Sequence, residues 1–320
     1  MTTAGATTEG SAASGPGGSV PAPASSTDPR EARRGAAFGA AAFLWWGFAP
    51  LYFKAIGSVP SLEVLAHRIV WSLAFLTALL IGRRGLLATL AMFRDGRTLL
   101  TMCVTTCLIA VNWLVFIWSI ANGRLVEASL GYFMNPLVNV TFGAIFLRER
   151  LRRPQVAAVL LALAGVTWLT VAQGRAPWIA LVLAISFAIY GLLRKLARPT
   201  GIQGLALETT LLTPLALGWM FWRQAHGGLA FGHDGPKITM LLCAAGPITA
   251  LPLIWFAEGA RRLRFATIGF LQYLSPTFQF LLAVIAFGEP FTRTHAIGFG
   301  TIWTALALYS WDTARGLRRQ

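Results

Sequence analysis

The sequence predicts an all-α integral membrane protein with ten transmembrane helices in two inverted five-helix repeats. Three observations carry that reading: hydropathy, the placement of basic residues and a weak internal duplication. Mean hydropathy is +0.62, with 56% hydrophobic and 12% charged residues over 320 positions, where a soluble domain carries about 25% charge. Apolar stretches recur at 36–57, 61–82, 99–121, 127–147, 155–173, 177–196, 202–222, 238–260, 265–287 and 295–312. Each is long enough to cross about 30 Å of hydrocarbon. Backbone groups in lipid must bond internally, so each stretch is expected to be a helix; a barrel would show alternating segments of about ten residues.

Net charge is +15 and the pI near 11.2, values that in a soluble protein would suggest nucleic acid. Their distribution argues otherwise. With the N-terminus inside, twenty Lys and Arg fall on the cytoplasmic side, in clusters around Arg33, Arg84, Arg94, Arg152, Arg194, Arg262 and Arg318. Five fall outside: Arg124, Arg175, Arg223, Lys237 and Arg293. This bias is an orientation signal; it places both termini in the cytoplasm and calls for a lipid bilayer, not nucleic acid, as partner.

The duplication pairs Arg124-Leu125, Ala128, Gly131 and Pro136 with Arg262-Leu263, Ala266, Gly269 and Pro276. Thirteen residues beyond each proline stands a glutamate, Glu149 and Glu289. The charge bias puts Glu149 inside and Glu289 outside. The copies are therefore inverted, as in repeats that build transporters.

Taken in order, residues 1–34 are rich in Gly, Ala, Ser, Thr and Pro without an apolar run, and are expected to be a disordered cytoplasmic tail. Repeat one would occupy 35–173, repeat two 174–312, and a basic tail 313–320. The first span opens with Gly35-x-x-x-Gly39, a weak helix-contact signal in so Gly/Ala-rich a segment. The second carries Glu63, His67 and Arg68. Intramembrane ionisable groups are costly and mark functional candidates. Glu63 is close enough to the outer surface to be interfacial, and shares a face with His67. Arg68 lies deeper, either as structural glue or in a solute path.

The third span carries Asn112 and Trp113, and Cys103 and Cys107 one turn apart, read as small packing residues rather than a redox pair. The fourth carries Glu127, Ser129, Tyr132, Asn135 and Pro136. Glu127 suits the first turn of its helix, where an acid favours the dipole, or a binding role. Pro136 and Pro276 each remove a backbone bond and expose carbonyls. Asn112, Asn135, Asn139, Gln272 and Tyr273 could then hold a solute, or simply bond neighbouring helices. In the seventh span Glu208 is a candidate for proton coupling, since a desolvated carboxylate can exchange protons near neutral pH; the alternative is a salt bridge to Arg194 or Arg198. No HExxH or CxxC spacing suggests a metal, and no phosphate loop suggests ATP, so neither metal nor cofactor is expected.

Several stretches together resemble the EamA family of the drug/metabolite transporter superfamily. They are Leu65-Ala-His-Arg-Ile-Val-Trp-Ser72, Asn112-Trp-Leu-Val-Phe-Ile-Trp118 and Glu127-Ala-Ser-Leu-Gly-Tyr-Phe-Met-Asn-Pro-Leu-Val-Asn139. To these are added Phe187-Ala-Ile-Tyr-Gly-Leu-Leu-Arg-Lys195, Glu208-Thr209 and Gly269-Phe-Leu-Gln-Tyr-Leu-Ser-Pro276. The resemblance spans about residues 35–312. It implies two EamA repeats enclosing a central cavity open alternately to either face, and an inner-membrane permease or exporter of small solutes.

The expectation is thus a non-enzymatic secondary transporter of a small metabolite or drug, as monomer or homodimer. Arg68, His67, Asn112, Trp113, Asn135, Tyr190, Gln272 and Tyr273 would meet solute, with Glu208 and Glu127 handling protons. A lipid-acting enzyme would need a nucleophile or metal cluster that the short loops lack. A membrane sensor or assembly subunit that binds solute without moving it is the alternative.

Overall fold

The computed structural model describes residues 29–146, 151–260, 262–263, 267–268 and 271–317. Glu149, Ala266, Gly269 and the first 28 residues of the expected tail lie outside the described residues. Within them the chain forms eleven α-helices and no strand. These are α1 (Pro29–Ala55), α2 (Ser61–Gly82), α3 (Leu86–Ala91), α4 (Gly96–Ala121), α5 (Leu125–Phe146) and α6 (Arg153–Gln173). After them come α7 (Trp178–Leu196), α8 (Gly201–Gly227), α9 (Pro236–Ala260), α10 (Leu274–Leu281) and α11 (Arg293–Leu317). Six of them, α1, α2, α4, α6, α8 and α9, are long and apolar enough to cross a membrane; α7 and α10 are shorter apolar helices.

Several expected boundaries move. Helix α1 begins at Pro29, where a proline tolerates the first helical turn, so residues 29–34 of the expected tail are helical. The 83–98 connection holds the six-residue α3 and a 3₁₀ turn, Met92–Arg94. Helix α11 runs to Leu317, past the expected start of the basic tail. The ninth stretch is not one continuous helix. A turn occupies Gln272–Tyr273 before α10, which then loosens into a π turn over Leu282–Ala286. Pro276 has no N–H for the carbonyl of Gln272, four residues back, and the helix breaks there. Pro136, by contrast, is carried inside an unbroken α5.

Helix pairing decides which side chains meet. Helix α1 packs on α9 and α10, α2 on α8 and α9, α4 on α7 and α8, α5 on α7 and α10, and α6 on α11. Lipid supplies little hydrophobic drive between helices, so close packing at small residues carries the association. A Cβ on Gly131 would lie 2.7 Å from the Ala180 carbonyl oxygen, and one on Gly259 would lie 2.8 Å from the Gly39 nitrogen. Gly246 likewise lets α9 meet the backbone of α2 at Trp71 and Ser72. The Gly35–Gly39 motif is therefore a genuine α1–α9 contact. Cys103 and Cys107 depart from expectation: both are exposed on the outer surface of α4, not packed inside.

Candidate functional site

Arg68 on α2 is half-buried among the helices, with its Nε closed off from solvent. Its guanidinium lies over the Trp113 ring of α4, 4.0 Å from the centroid, and 5.6 Å from that of Phe53 on α1. Stacking of this kind contributes about 2 kcal/mol when desolvated. Its Nε has no hydrogen-bond partner, and among the described residues no carboxylate pairs with it. A fixed charge held by aromatic faces keeps its capacity to bind an anion.

His67 points elsewhere. Its ring stacks on Phe231 in the α8–α9 connection, centroids 4.7 Å apart, and neither ring nitrogen has a hydrogen-bond partner. Glu63 shares its face but does not bond to it. Glu63, expected near the outer surface, is covered by protein there: it is 1% exposed, and its Oε1 accepts the Ala230 amide at 2.7 Å and the Phe231 amide at 3.2 Å. The tertiary fold folds the α8–α9 connection over the end of α2, and those free amides need an acceptor.

Asn112 bonds to its neighbours in full. Nδ2 donates to the Leu183 carbonyl at 3.0 Å and to Ser186 Oγ at 2.9 Å, and Oδ1 accepts from Tyr132 Oη at 3.3 Å. It ties α4 to α7 and α5. Asn135 on α5 is buried, and its Oδ1 has no partner. Gln272 and Tyr273 sit at the break before α10, with the Tyr273 hydroxyl on Ser310 of α11. They are not drawn into the Arg68 cluster.

Glu208 is fully buried on α8. Tyr190 Oη donates to its Oε2 at 3.3 Å, and Arg194 Nε stands 3.8 Å from Oε1. Of the two arginines weighed as partners, Arg194 takes the role; Arg198 pairs with Asp95 at 3.3 Å. Tyr190, expected to pack on solute, instead holds the carboxylate. Glu127 occupies the first turn of α5, as its helix position suggested, and receives Arg124 at 2.7 Å on both oxygens, with Arg175 at 3.9 Å.

Two grooves of about 510 and 430 Å³ lie on the outside of the bundle, one along α6 at Leu160–Val171, one between Pro60–Leu62, Val115, Trp118 and Trp178. Neither includes Arg68 or Glu208, and both are lined by apolar residues of the kind that face lipid. The buried polar cluster is the better guide to chemistry, because each of its groups has been desolvated for a reason lipid cannot supply.

Comparison with known proteins gives the family of the chain. The model of the EamA-like transporter family matches residues 33–171. Protein RarD of Streptomyces exfoliatus is 42% identical over 289 residues, covering 90% of this chain and 92% of its own length. Protein RarD of Escherichia coli K12 is 41% identical, covering 91% and 99%. The chain belongs to the EamA-like transporter family. An uncharacterized transporter of Vibrio cholerae is 42% identical over 89% of this chain. A solved crystal structure superposes with a TM-score of 0.55 at 22% identity, over 86% of this chain and 96% of that one, which is a likeness of fold.

As an EamA member the protein is a multi-pass membrane transporter of the drug/metabolite type. Two residues of the cluster escape a reading by residue type. Gly204 leaves space for the Arg194 guanidinium, which a Cβ there would strike. Its position four before Glu208 on one helix face was the available signal. Glu289 was visible as a repeat mark, but its task was not. Its two oxygens accept the Leu125 and Val126 amides at 2.8 Å each, capping α5 from 164 residues away.

Proposed function

We propose that the protein is a secondary transporter that moves a small anionic metabolite or drug across the bacterial inner membrane by alternating access, coupled to protons through Glu208. The observation that carries this reading is Arg68: a half-buried guanidinium on an aromatic face, its Nε shut off from solvent, with no carboxylate partner among the described residues, where α2 meets α1 and α4. A carboxylate or phosphate on the solute would supply the charge that the protein does not. Trp113 and Phe53 would pack against its apolar part. Glu208, held by Tyr190 and Arg194, would alternate between ion pair and neutral acid. Glu127, His67 and Asn135 belong to the walls of the route.

The packing pairs favour ten spans in two repeats. Exchanging α1, α2, α4, α5 and α6 with α7, α8, α9, α10 and α11 turns the α1–α9 contact into α7–α4. It also turns α5–α7 into α10–α1 and α2–α9 into α8–α4. A pseudo-twofold axis in the membrane plane produces this kind of exchange. Both termini would be cytoplasmic, and the functional unit a monomer or homodimer.

The test is flux in proteoliposomes across a panel of amino acids, nucleosides, phenicols, carboxylates and phosphorylated metabolites, with and without a pH gradient. Saturable flux lost in Arg68→Ala establishes the transporter reading, and its response to the gradient settles coupling. Solute binding without flux, in folded protein, moves the reading to a sensor or assembly subunit.

A further inference from the structure

The internal duplication aligns Arg124 with Arg262, and the fold puts the two at opposite ends of the bundle. Arg124 lies in the α4–α5 connection, at the end where α7 begins. Pro60 and Ser61 border Trp118 and Trp178 at that end, and the connection into α9 covers Glu63 there. Helix α9 therefore starts at the Arg124 end and finishes at the other, where Arg262 follows it and α1 begins. Each arginine is held by a carboxylate three or four residues away. Arg124 Nη2 donates to both oxygens of Glu127 at 2.7 Å, and Arg262 Nη1 to Glu258 Oε2 at 2.5 Å. Each guanidinium also reaches the first helix of the other half. That of Arg124 stands 5.7 Å from the Trp178 centroid on α7, and that of Arg262 6.0 Å from the Phe38 centroid on α1. The two aromatic residues are 140 positions apart, against 138 for the arginines.

Further contacts join the helices at each end. At the Arg124 end, Trp118 meets Trp178 with centroids 5.5 Å apart, and Arg175 of the α6–α7 connection stands 3.9 Å from Glu127. Glu289 ties the α10–α11 connection to the first amides of α5. At the Arg262 end, Nε donates to Glu31 Oε2 in the first turn of α1 at 3.0 Å. Gly35 lets the α1 backbone lie against the Arg262 side chain, where a Cβ would come within 2.7 Å. The paired side chains stay partly exposed, 20% and 10% for Arg124 and Glu127, 21% and 27% for Arg262 and Glu258. Ion pairs that water can reach are weak, so these are contacts that can part and form again.

We propose that Arg124 and Arg262 are the two clasps of the bundle, each closing one end by holding the first helix of the other half, and that they part in turn. The inference rests on the alternating-access reading and adds to it the residues that gate each end. Exchange of the two halves carries the α5–α7 junction into the α10–α1 junction, so a motion that parts one clasp has its counterpart at the other end. A route open at both ends would leak, so one clasp holds while the other is parted. Cutting one clasp then shifts the population towards the state open at that end and away from the state open at the other.

The experiment uses the full chain with Cys103, Cys107 and Cys243 replaced and one new cysteine, Asn135→Cys, at a buried position midway along α5. A small charged methanethiosulfonate that does not cross lipid is added to right-side-out and to inside-out membrane vesicles, and the labelling rate is read from each side. Arg124→Gln and Glu127→Gln should raise the rate from outside by about fivefold or more and lower it from inside. Arg262→Gln and Glu258→Gln should do the reverse. Thermal unfolding of each variant reports folding separately. A rate that rises from both sides in folded variants means loosened packing and overturns the proposal, and so do rates unchanged from either side. The labelling needs no solute. Opposite shifts in a protein that carries nothing on the flux panel would sink the transporter reading and leave the clasps; flux with unshifted labelling would sink the clasps alone.

Discussion

Arg68 and Glu208 show how little a residue's identity says until its neighbours are known. Both are charged groups inside apolar stretches, and both stand out in the sequence for that reason. One has aromatic rings and, among the described residues, no counter-ion; the other has Tyr190 and Arg194. Lysine at position 68 would keep the charge but lose the planar stacking on Trp113. We expect Arg68→Lys to lower flux at a fixed solute concentration by about tenfold, equivalent to about 1.4 kcal/mol. Unchanged flux in vesicles would show that the guanidinium plane is not needed. Gly204→Ala makes the complementary test on the carboxylate, since the new Cβ would push Arg194 off its place. A reduced response of flux to the pH gradient, with folding intact, is the expected outcome. The sequence offers Asn112 as a polar contact for solute and Tyr190 as an aromatic ring to pack on it. The partners turned out to be protein, which composition and spacing do not reveal.

At the scale of the element, carboxylates distant in sequence finish helices and loops. Glu289 satisfies two amides at the start of α5, and Glu63 two in the α8–α9 connection. Glutamine at 289 leaves one acceptor oxygen for two amides, so Glu289→Gln should destabilise the protein by about 1–3 kcal/mol, read as a lowered midpoint of thermal unfolding in detergent. Asp95 does a related job before α4. The Thr98 hydroxyl, at 2.6 Å from its Oδ2, and Arg198 hold its carboxyl below the usual carboxylate range. A folded value below the unfolded one means stabilisation that is present above the unfolded pKa and lost as pH falls through the folded one. Asp95→Asn should therefore remove part of the acid-side loss of stability and leave the neutral side slightly weaker. An unfolding curve measured against pH checks the sign. The break at Gln272–Tyr273 and the unbroken α5 across Pro136 show that one proline rule has two results. Whether neighbours hold the helix through the missing bond is decided by packing, not by the proline.

Across the whole molecule, orientation is the property most exposed to a direct check. With the native cysteines Cys103, Cys107 and Cys243 replaced, Asn122→Cys should react with a membrane-impermeant maleimide from outside in intact cells. Arg83→Cys should react only after permeabilisation. The reverse pattern would turn the basic bias of this chain against its usual meaning. The sequence by itself determined that the chain is helical and membrane-spanning, that it carries an internal duplication, and that a few buried ionisable groups matter. Those follow from local properties: apolar length, charge placement and the cost of burying a polar group, each readable one segment at a time. Tertiary structure decided who meets whom. It assigned Arg194 rather than Arg198 to Glu208, gave Glu63 the loop amides of Ala230 and Phe231 to accept, and made Asn112 a tie between helices. Each of those contacts joins residues from different elements, and their distances depend on how whole helices cross. Small residues such as Gly131, Gly246 and Gly259 set those crossings, and their effect is felt by every polar group nearby.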